Sequence, residues 1–257
     1  MDDLHWCINY LEEYNDVTCE HINLFYDFRS LMNITMPINL SDEFYLRQDN
    51  VLKDIMMNKE SVDVDAFPNG ITVFKGDIIS LKIDAIVNAG NSALLGCFVP
   101  LHTCVDNIIH SFAGLEVRRD LMKIMDEQGH EEPNGTCKMT HGYNLKCRYI
   151  CHTVGPIYSG IRRDEVDLTN CYYSCLKCAD DYGLTSIAFS TISTGLYGYP
   201  KDKACEIALK SVKTYLEEEN KNIKKVVFVT FDRDNYHIYK KTLKNQGVEF
   251  YERHGKD

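Results

Sequence analysis

The sequence predicts an α/β protein: a three-layer α/β/α domain built on a mixed central sheet, preceded by a small N-terminal helical extension. Three observations carry this expectation. Apolar residues recur at helical spacing up to about residue 67, and after "FPNG" the pattern changes to short β-branched runs. Those runs alternate with longer amphipathic segments, as strands followed by helices do. The 257 residues suffice for one large domain, or for one domain of ordinary size with an appended piece, and no internal repeat or low-complexity block argues otherwise.

The extension is assigned to residues 1–67. In "LHWCINYLEEY" and "SDEFYLRQDNVLKDIMMNK", Trp6, Leu11, Phe44, Val51, Leu52 and Met56 fall at roughly helical spacings. Ser41 is the expected N-cap of the second of these segments, with Asp42 and Glu43 favourably placed in its first turn. Residues 68–257 form the α/β/α domain. Its strand candidates are "ITVFKGDII", "IDAIVNAG", "GTCKMTHGYNL", "RYICHTVG", "SIAFSTIS" and "KKVVFVTF". Its helices are "CVDNIIHSFAGLEVRRDLMKIM", "LTNCYYSCLKCADDYG", "KDKACEIALKSVKTYLEEEN" and "NYHIYKKTLKNQG". Ligands of such sheets sit at the carboxyl ends of the strands, where the unusual loops of this chain begin.

Composition narrows the function classes. An apolar share of 44 %, no run approaching eighteen uncharged apolar residues, and the acidic start "MDDLHWCINYLEE" predict a soluble, unexported, cytoplasmic protein without a membrane partner. Eleven cysteines, an odd number falling mostly inside apolar segments, read as reduced thiols and not as a disulfide framework. The formal charge of −10 argues against extended nucleic acid, whose affinity comes mainly from Lys and Arg on phosphates. A small phosphorylated ligand remains compatible, because backbone N–H groups and a helix dipole can meet its charge.

Three strand ends carry unusual residues. "KGDII" holds Asp77 and Ile78; "IVNAGNSALLG" ends a buried strand with two asparagines, the second being Asn91; "STISTGLYGYPKD" places Ser193, Thr194, Gly195, Leu196 and Tyr197 between a strand and a helix. The last is a flexible turn able either to cradle a phosphate or merely to reverse the chain. Between them, Cys97, His102 and Cys104 follow a C-x4-H-x-C pattern. Two thiolates and an imidazole are ligands that zinc accepts in a tetrahedral arrangement, and three protein ligands leave one position open, as in catalytic sites. The same residues also read as two buried thiols beside a loop histidine. Cys171, Cys175 and Cys178 lie at helical spacing among apolar residues and read as core fillers. His110 and His152 read as hydrogen-bonding or packing residues.

Taken together, "GDI", "IVNAGNS", "VDNIIHSFAG", "HTVGP" and "STISTGLYGYP" resemble the macrodomain family of ADP-ribose-binding α/β/α modules, in order and at compatible spacings over residues 72 to about 245. The resemblance implies that Asp77 accepts from the adenine amino group beside the Ile78 N–H, and that Asn91 contacts the distal ribose. It further implies that residues 193–197 wrap the diphosphate and that Phe231 stacks on adenine. Each has a plainer reading: Asp77 as the start of a turn, Asn91 as a left-handed loop residue, Phe231 as core. Where hydrolytic macrodomains commonly carry a run of glycines, this chain has "GCFVPLHTC", which resembles the zinc-dependent branch of the family.

That resemblance implies one Zn²⁺ per chain on Cys97, His102 and Cys104, with Asp106 of the "VD" pair as general base or water-positioning residue and Asn91 orienting the ribose. A first-turn carboxylate serving only the helix dipole is the plainer reading of Asp106. The implied activity is hydrolysis that removes mono-ADP-ribose from acidic side chains of modified proteins. More loosely, the implied partner is a lipoyl-carrier protein modified by a sirtuin-type transferase. A non-catalytic ADP-ribose reader and an O-acetyl-ADP-ribose deacetylase are the alternatives.

Overall fold

The computed structural model describes residues 2–248 and 250–254. Three helices come first: α1 (Asp3–Asn15), α2 (Leu24–Ile34) and α3 (Asp42–Asn58). Each begins on a side-chain cap, with Asp2, Asn23 and Ser41 accepting from the N–H groups of His5, Tyr26 and Phe44. Their inward faces meet in a core of Cys7, Ile8, Leu11, Phe28, Leu31, Met32, Phe44 and Leu52, which also takes in Leu115 from further along the chain. Trp6 is only partly buried and lies under the Arg47 guanidinium, 4.7 Å from its ring centre.

The remaining elements run β1 (Val62–Asp63), β2 (Gly70–Lys75), β3 (Leu81–Lys82), β4 (Ala85–Gly90), α4 (Val105–Ala113), α5 (Leu115–Gln128), β5 (Cys137–His141) and β6 (Tyr149–Val154). After them come α6 (Arg162–Asp181), β7 (Ser186–Phe189), α7 (Lys201–Glu218), β8 (Lys225–Thr230), α8 (Arg233–Asn245) and β9 (Phe250–His254). Seven strands form one sheet in the order β5-β6-β4-β7-β8-β2-β9, while β1 and β3 make a separate short pair. Among the described residues only the β5–β6 pairing is antiparallel within the sheet, which is therefore mixed.

Burial on both faces explains the continuous apolar strands. Val73, Val87, Cys151, Phe189 and Phe228 face one way and pack with Leu168, Cys175, Leu176, Leu209 and Tyr239 of α6, α7 and α8. Their neighbours Phe74, Ile86, Ile150, Ala188 and Val227 face the other way, onto Ile109, Phe112, Val117 and Leu121 of α4 and α5. Period-2 alternation thus supplies two cores from one set of strands. Cys171 and Cys175 are fully buried in the first core, whereas Cys178 is half-buried. No helix among the described residues is long and apolar enough to cross a membrane.

The structure departs from the sequence reading in several places, the first being α2, a third N-terminal helix where the spacing pointed to two segments. The segment expected as one helix from residue 104 to 125 is two, broken at Gly114 with φ 106° and ψ 171°. A Cβ there would lie 2.7 Å from both Gln48 Nε2 and Glu116 Oε2, and Gln48 Oε1 instead accepts the Leu115 N–H at 2.8 Å. Strand β9 was not expected, because its Glu252 and Arg253 interrupt an apolar pattern. The candidate strand over 135–145 is confined to β5, since the chain turns through Tyr143 at φ 50°. Gly114→Ala should cost about 2 kcal/mol, from the positive φ and the crowding against α3. Denaturant unfolding that leaves the midpoint unchanged would refute this.

Candidate active site

A cleft of about 810 Å³ opens at the carboxyl ends of the parallel strands. Its walls are the turn after β2 (Asp77, Ile78), the loop after β4 (Asn91, Cys97, His102, Cys104), the first turn of α4 (Asp106), the loop after β7 (Ser193 to Tyr197) and Phe231 after β8. Every residue singled out from the sequence for ligand, metal or catalysis therefore lines one space.

The walls differ in chemistry. At one end Phe231 is 83 % exposed, which rules out its reading as core and leaves a bare aromatic face at the mouth. Asp77 caps the 3₁₀ turn over residues 78–80 by accepting the Ile79 N–H at 3.1 Å, so its turn-forming reading is realised, and Oδ2 lies 3.9 Å from Lys59 Nζ. Lys201 Nζ, also in the lining, is held 3.1 Å from Asp232 Oδ1.

In the middle, the loop after β7 is tied by the Gly198 N–H to Gly195 and the Tyr199 N–H to Ser193, each at 3.0 Å. Ser193 sits at φ 62°, and its buried hydroxyl has no partner. A non-glycine residue in that region with an orphan polar atom is an arrangement that a bound anion would complete. Gly155, at the end of β6, is what lets this loop close: a Cβ there would lie 2.2 Å from Ser193 Oγ. The role of Gly155 is not evident from "HTVGP" alone, where the only signal is a glycine immediately after a strand.

At the other end, Asn91 donates from Nδ2 to the Gly96 carbonyl at 3.1 Å and accepts the Ala93 N–H at 3.1 Å. It is not among the residues at positive φ, so the left-handed reading is corrected: its amide stitches the loop. Gly96 has φ 84° and rests on the His110 ring, where a Cβ would come within 2.8 Å. His110 thus lies beneath this loop. Beyond it, Cys97 Sγ and His102 Nδ1 are 3.6 Å apart, and with Cys104 Sγ the three donor atoms all lie within 4.8 Å of one another. Cys104 is also the N-cap of α4, accepting the Asn107 N–H at 3.4 Å.

The donor set and spacing fit a metal ion. Burial pushes the Cys104 thiol up to about 12, with the Asn107 N–H opposing and Cys97 adding to the rise. Such a thiol is no free nucleophile at neutral pH, and a bound cation would favour its thiolate.

Asp106, in the first turn of α4, is 6 % exposed. Its Oδ1 accepts from Asn88 Nδ2 at 2.8 Å and lies 3.5 Å from His110 Nε2. Asn88 is in turn 3.3 Å from His152 Nδ1, and His152 Nε2 is 2.9 Å from Thr140 Oγ1. Burial raises the Asp106 carboxyl to about 6, while the Asn88 bond and the Arg118 charge pull it down. His110 and His152 are both buried and their pKa values lowered by desolvation, so each imidazole is neutral. Asn88 and His152 support the carboxylate from β4 and β6. Sequence reading named neither for that task, because their contact depends on the parallel register that puts residue 88 opposite 152.

Fold and cleft define an α/β/α module with a cleft across its parallel strand ends, carrying a Cys-His-Cys group and a buried carboxylate at one extremity. Comparison with known proteins gives the family. The Macro domain model matches residues 87–208. The chain is 45 % identical over 224 residues to a protein-ADP-ribose hydrolase of Treponema medium, covering 84 % of this chain and 85 % of that one. It is also 45 % identical over 225 residues to one of Staphylococcus aureus strain MRSA252, covering 84 % and 83 %. Among solved structures, the Oceanobacillus iheyensis macrodomain with ADP aligns with a TM-score of 0.64 at 36 % identity, covering 70 % of this chain and 93 % of that one. The Trypanosoma brucei macrodomain in complex with ADP-ribose aligns at 0.65 and 30 %, covering 83 % and 94 %. The chain belongs to the macrodomain family.

Proposed function

We propose that this protein is a zinc-dependent protein-ADP-ribose hydrolase that removes mono-ADP-ribose from acidic side chains of modified proteins. The observation that carries the reading is the convergence of Asp106, Asn91 and the Cys97–His102–Cys104 group on one end of the cleft. The names of the relatives and the nucleotides bound by the structural neighbours support it.

In this reading adenine stacks on Phe231, with the Asp77 carboxylate accepting from its amino group and the Ile78 N–H beside it. The loop of residues 193–197 takes the diphosphate on its backbone N–H groups, and the Ser193 hydroxyl gains the partner it lacks. The distal ribose then reaches the Asp106 end. Cys97, His102 and Cys104 would hold the zinc, which when bound would supply Lewis acidity. Asn91 keeps the loop shaped around the sugar. Asp106, fixed by Asn88, orients a water and accepts its proton as the ester opens, so that ADP-ribose and the free side-chain carboxylate are the products. We extend the proposal to a lipoyl-carrier protein as the modified partner.

The test is release of ADP-ribose from a protein modified on aspartate or glutamate, followed by intact mass. Tight ADP-ribose binding without release, with or without zinc, would make the protein a reader. Phe231→Ala should weaken ADP-ribose about tenfold or more, since base–aromatic stacking contributes ~1–3 kcal/mol. Calorimetric titration showing equal affinity would place adenine elsewhere.

A further inference from the structure

The loop that carries the three metal-ligand candidates is not held by the sheet domain alone. Arg29, on α2 of the helical extension, is 7 % exposed, and one terminal nitrogen of its guanidinium donates to the carbonyl of His102 itself and to Asn107 Oδ1, each at 2.7 Å. Its Nε donates to Ser111 Oγ at 3.1 Å. Asn33, one helical turn further along α2 and 1 % exposed, accepts the Leu101 N–H at 2.9 Å and donates to the same serine at 3.0 Å. Asn107 completes the frame by donating to the carbonyls of Cys97 and Val99 at 3.2 and 3.0 Å.

The grip falls where the loop is strained. Leu101 sits at φ 56°, a left-handed conformation in which a leucine Cβ crowds its own backbone. Asn33 holds its N–H, and Arg29 holds the carbonyl of the next residue, His102. Without these two bonds, Leu101 loses what holds it at positive φ, and the backbone that carries the His102 ring loses two of its fixed points.

We infer that Arg29 and Asn33 are positioning residues for the metal site, so that the helical extension sets the metal affinity of a loop it does not belong to. This rests on the proposed reading that the loop binds zinc. Neither residue hydrogen-bonds a metal-ligand atom; both act through the backbone they hold, as outer partners of metal ligands do, and the Arg29 charge is also felt by Cys104, which is why Arg29→Lys is compared with Arg29→Gln.

The experiment compares zinc affinity, by competition with a chromophoric chelator, in the unmodified chain, Arg29→Lys, Arg29→Gln and Asn33→Ala. Leu11→Ala serves as a control, because it destabilises the extension's own core without touching the loop. Melting temperatures are recorded for all. The expected result is a loss of zinc affinity of about tenfold or more in the Arg29 and Asn33 variants. Leu11→Ala should keep full affinity despite a comparable fall in melting temperature. Arg29→Lys guards against failure to fold: it keeps the buried charge but lacks the planar fork, and should lose affinity too. Equal affinity in all variants, or an equal loss in Leu11→Ala, overturns the positioning role while leaving the zinc reading intact. An unmodified chain that binds no zinc overturns both.

Discussion

Asp106→Asn should lower turnover by about 10²- to 10⁴-fold while leaving ADP-ribose affinity within a few-fold of the original. The substitution is a sharp one for this site. An asparagine carbonyl can still accept from Asn88 Nδ2, which lies 2.8 Å from Asp106 Oδ1, so the side chain keeps its place and α4 its first turn. What it loses is the ability to take a proton. His110 at 3.5 Å offers no ready substitute, since burial strongly disfavours its protonated form and so makes it a weak proton acceptor, and the residue lies under the loop. Single-turnover release of ADP-ribose alongside calorimetric binding separates the two effects. Undiminished turnover would reduce Asp106 to a helix-dipole carboxylate and send the search for a base elsewhere in the cleft.

Stripping the metal should have the second large effect. Chelator-treated protein is expected to remain folded and to bind ADP-ribose, yet to turn over about 10³-fold more slowly, because Lewis-acid stabilisation contributes several kcal/mol and each 1.4 kcal/mol is tenfold. Added Zn²⁺ should restore the rate; Mg²⁺ should not, since two thiols and an imidazole suit a borderline-soft ion and not a hard one. His102→Ala should show the chelated rate whatever metal is added. Metal content by mass spectrometry, paired with the rate, checks all three. Turnover indifferent to chelation would sink the zinc reading and leave the three side chains as a structural cluster.

The parts of this molecule that depend on neighbours in the chain were legible in its sequence. Runs such as Val226–Val229 and Ile86–Val87 announce strands because a sheet buried on both faces demands apolar residues at consecutive positions. Asp77, Asn91 and Ser193 stand in the loops that follow such runs, and a parallel sheet delivers those loops to one edge. What could not be read depends on distant partners. Arg29 acts on His102 across 73 positions and on Ser111 across 82, and an arginine on an amphipathic helix otherwise looks like a solvated charge. The break at Gly114 is dictated by Gln48, whose role appears only when α3 is packed against α4. Asn88 looked like half of an asparagine pair and proves to be the support of Asp106.

The seating of β2 between β8 and β9 has a consequence during synthesis. Of the sheet's strands β2 is the first to leave the ribosome, yet both strands that flank it come last, so its two hydrogen-bonding edges stay open until the rest of the domain has emerged. For that interval it presents Ile71, Val73 and Phe74 in extended backbone, a template for pairing with another nascent chain. The helices ahead of it can fold at once from local contacts. In the cell, chaperone demand should therefore concentrate on this waiting strand, and slowing translation near the 3′ end of the message should lower the yield of native protein more than slowing it near the start.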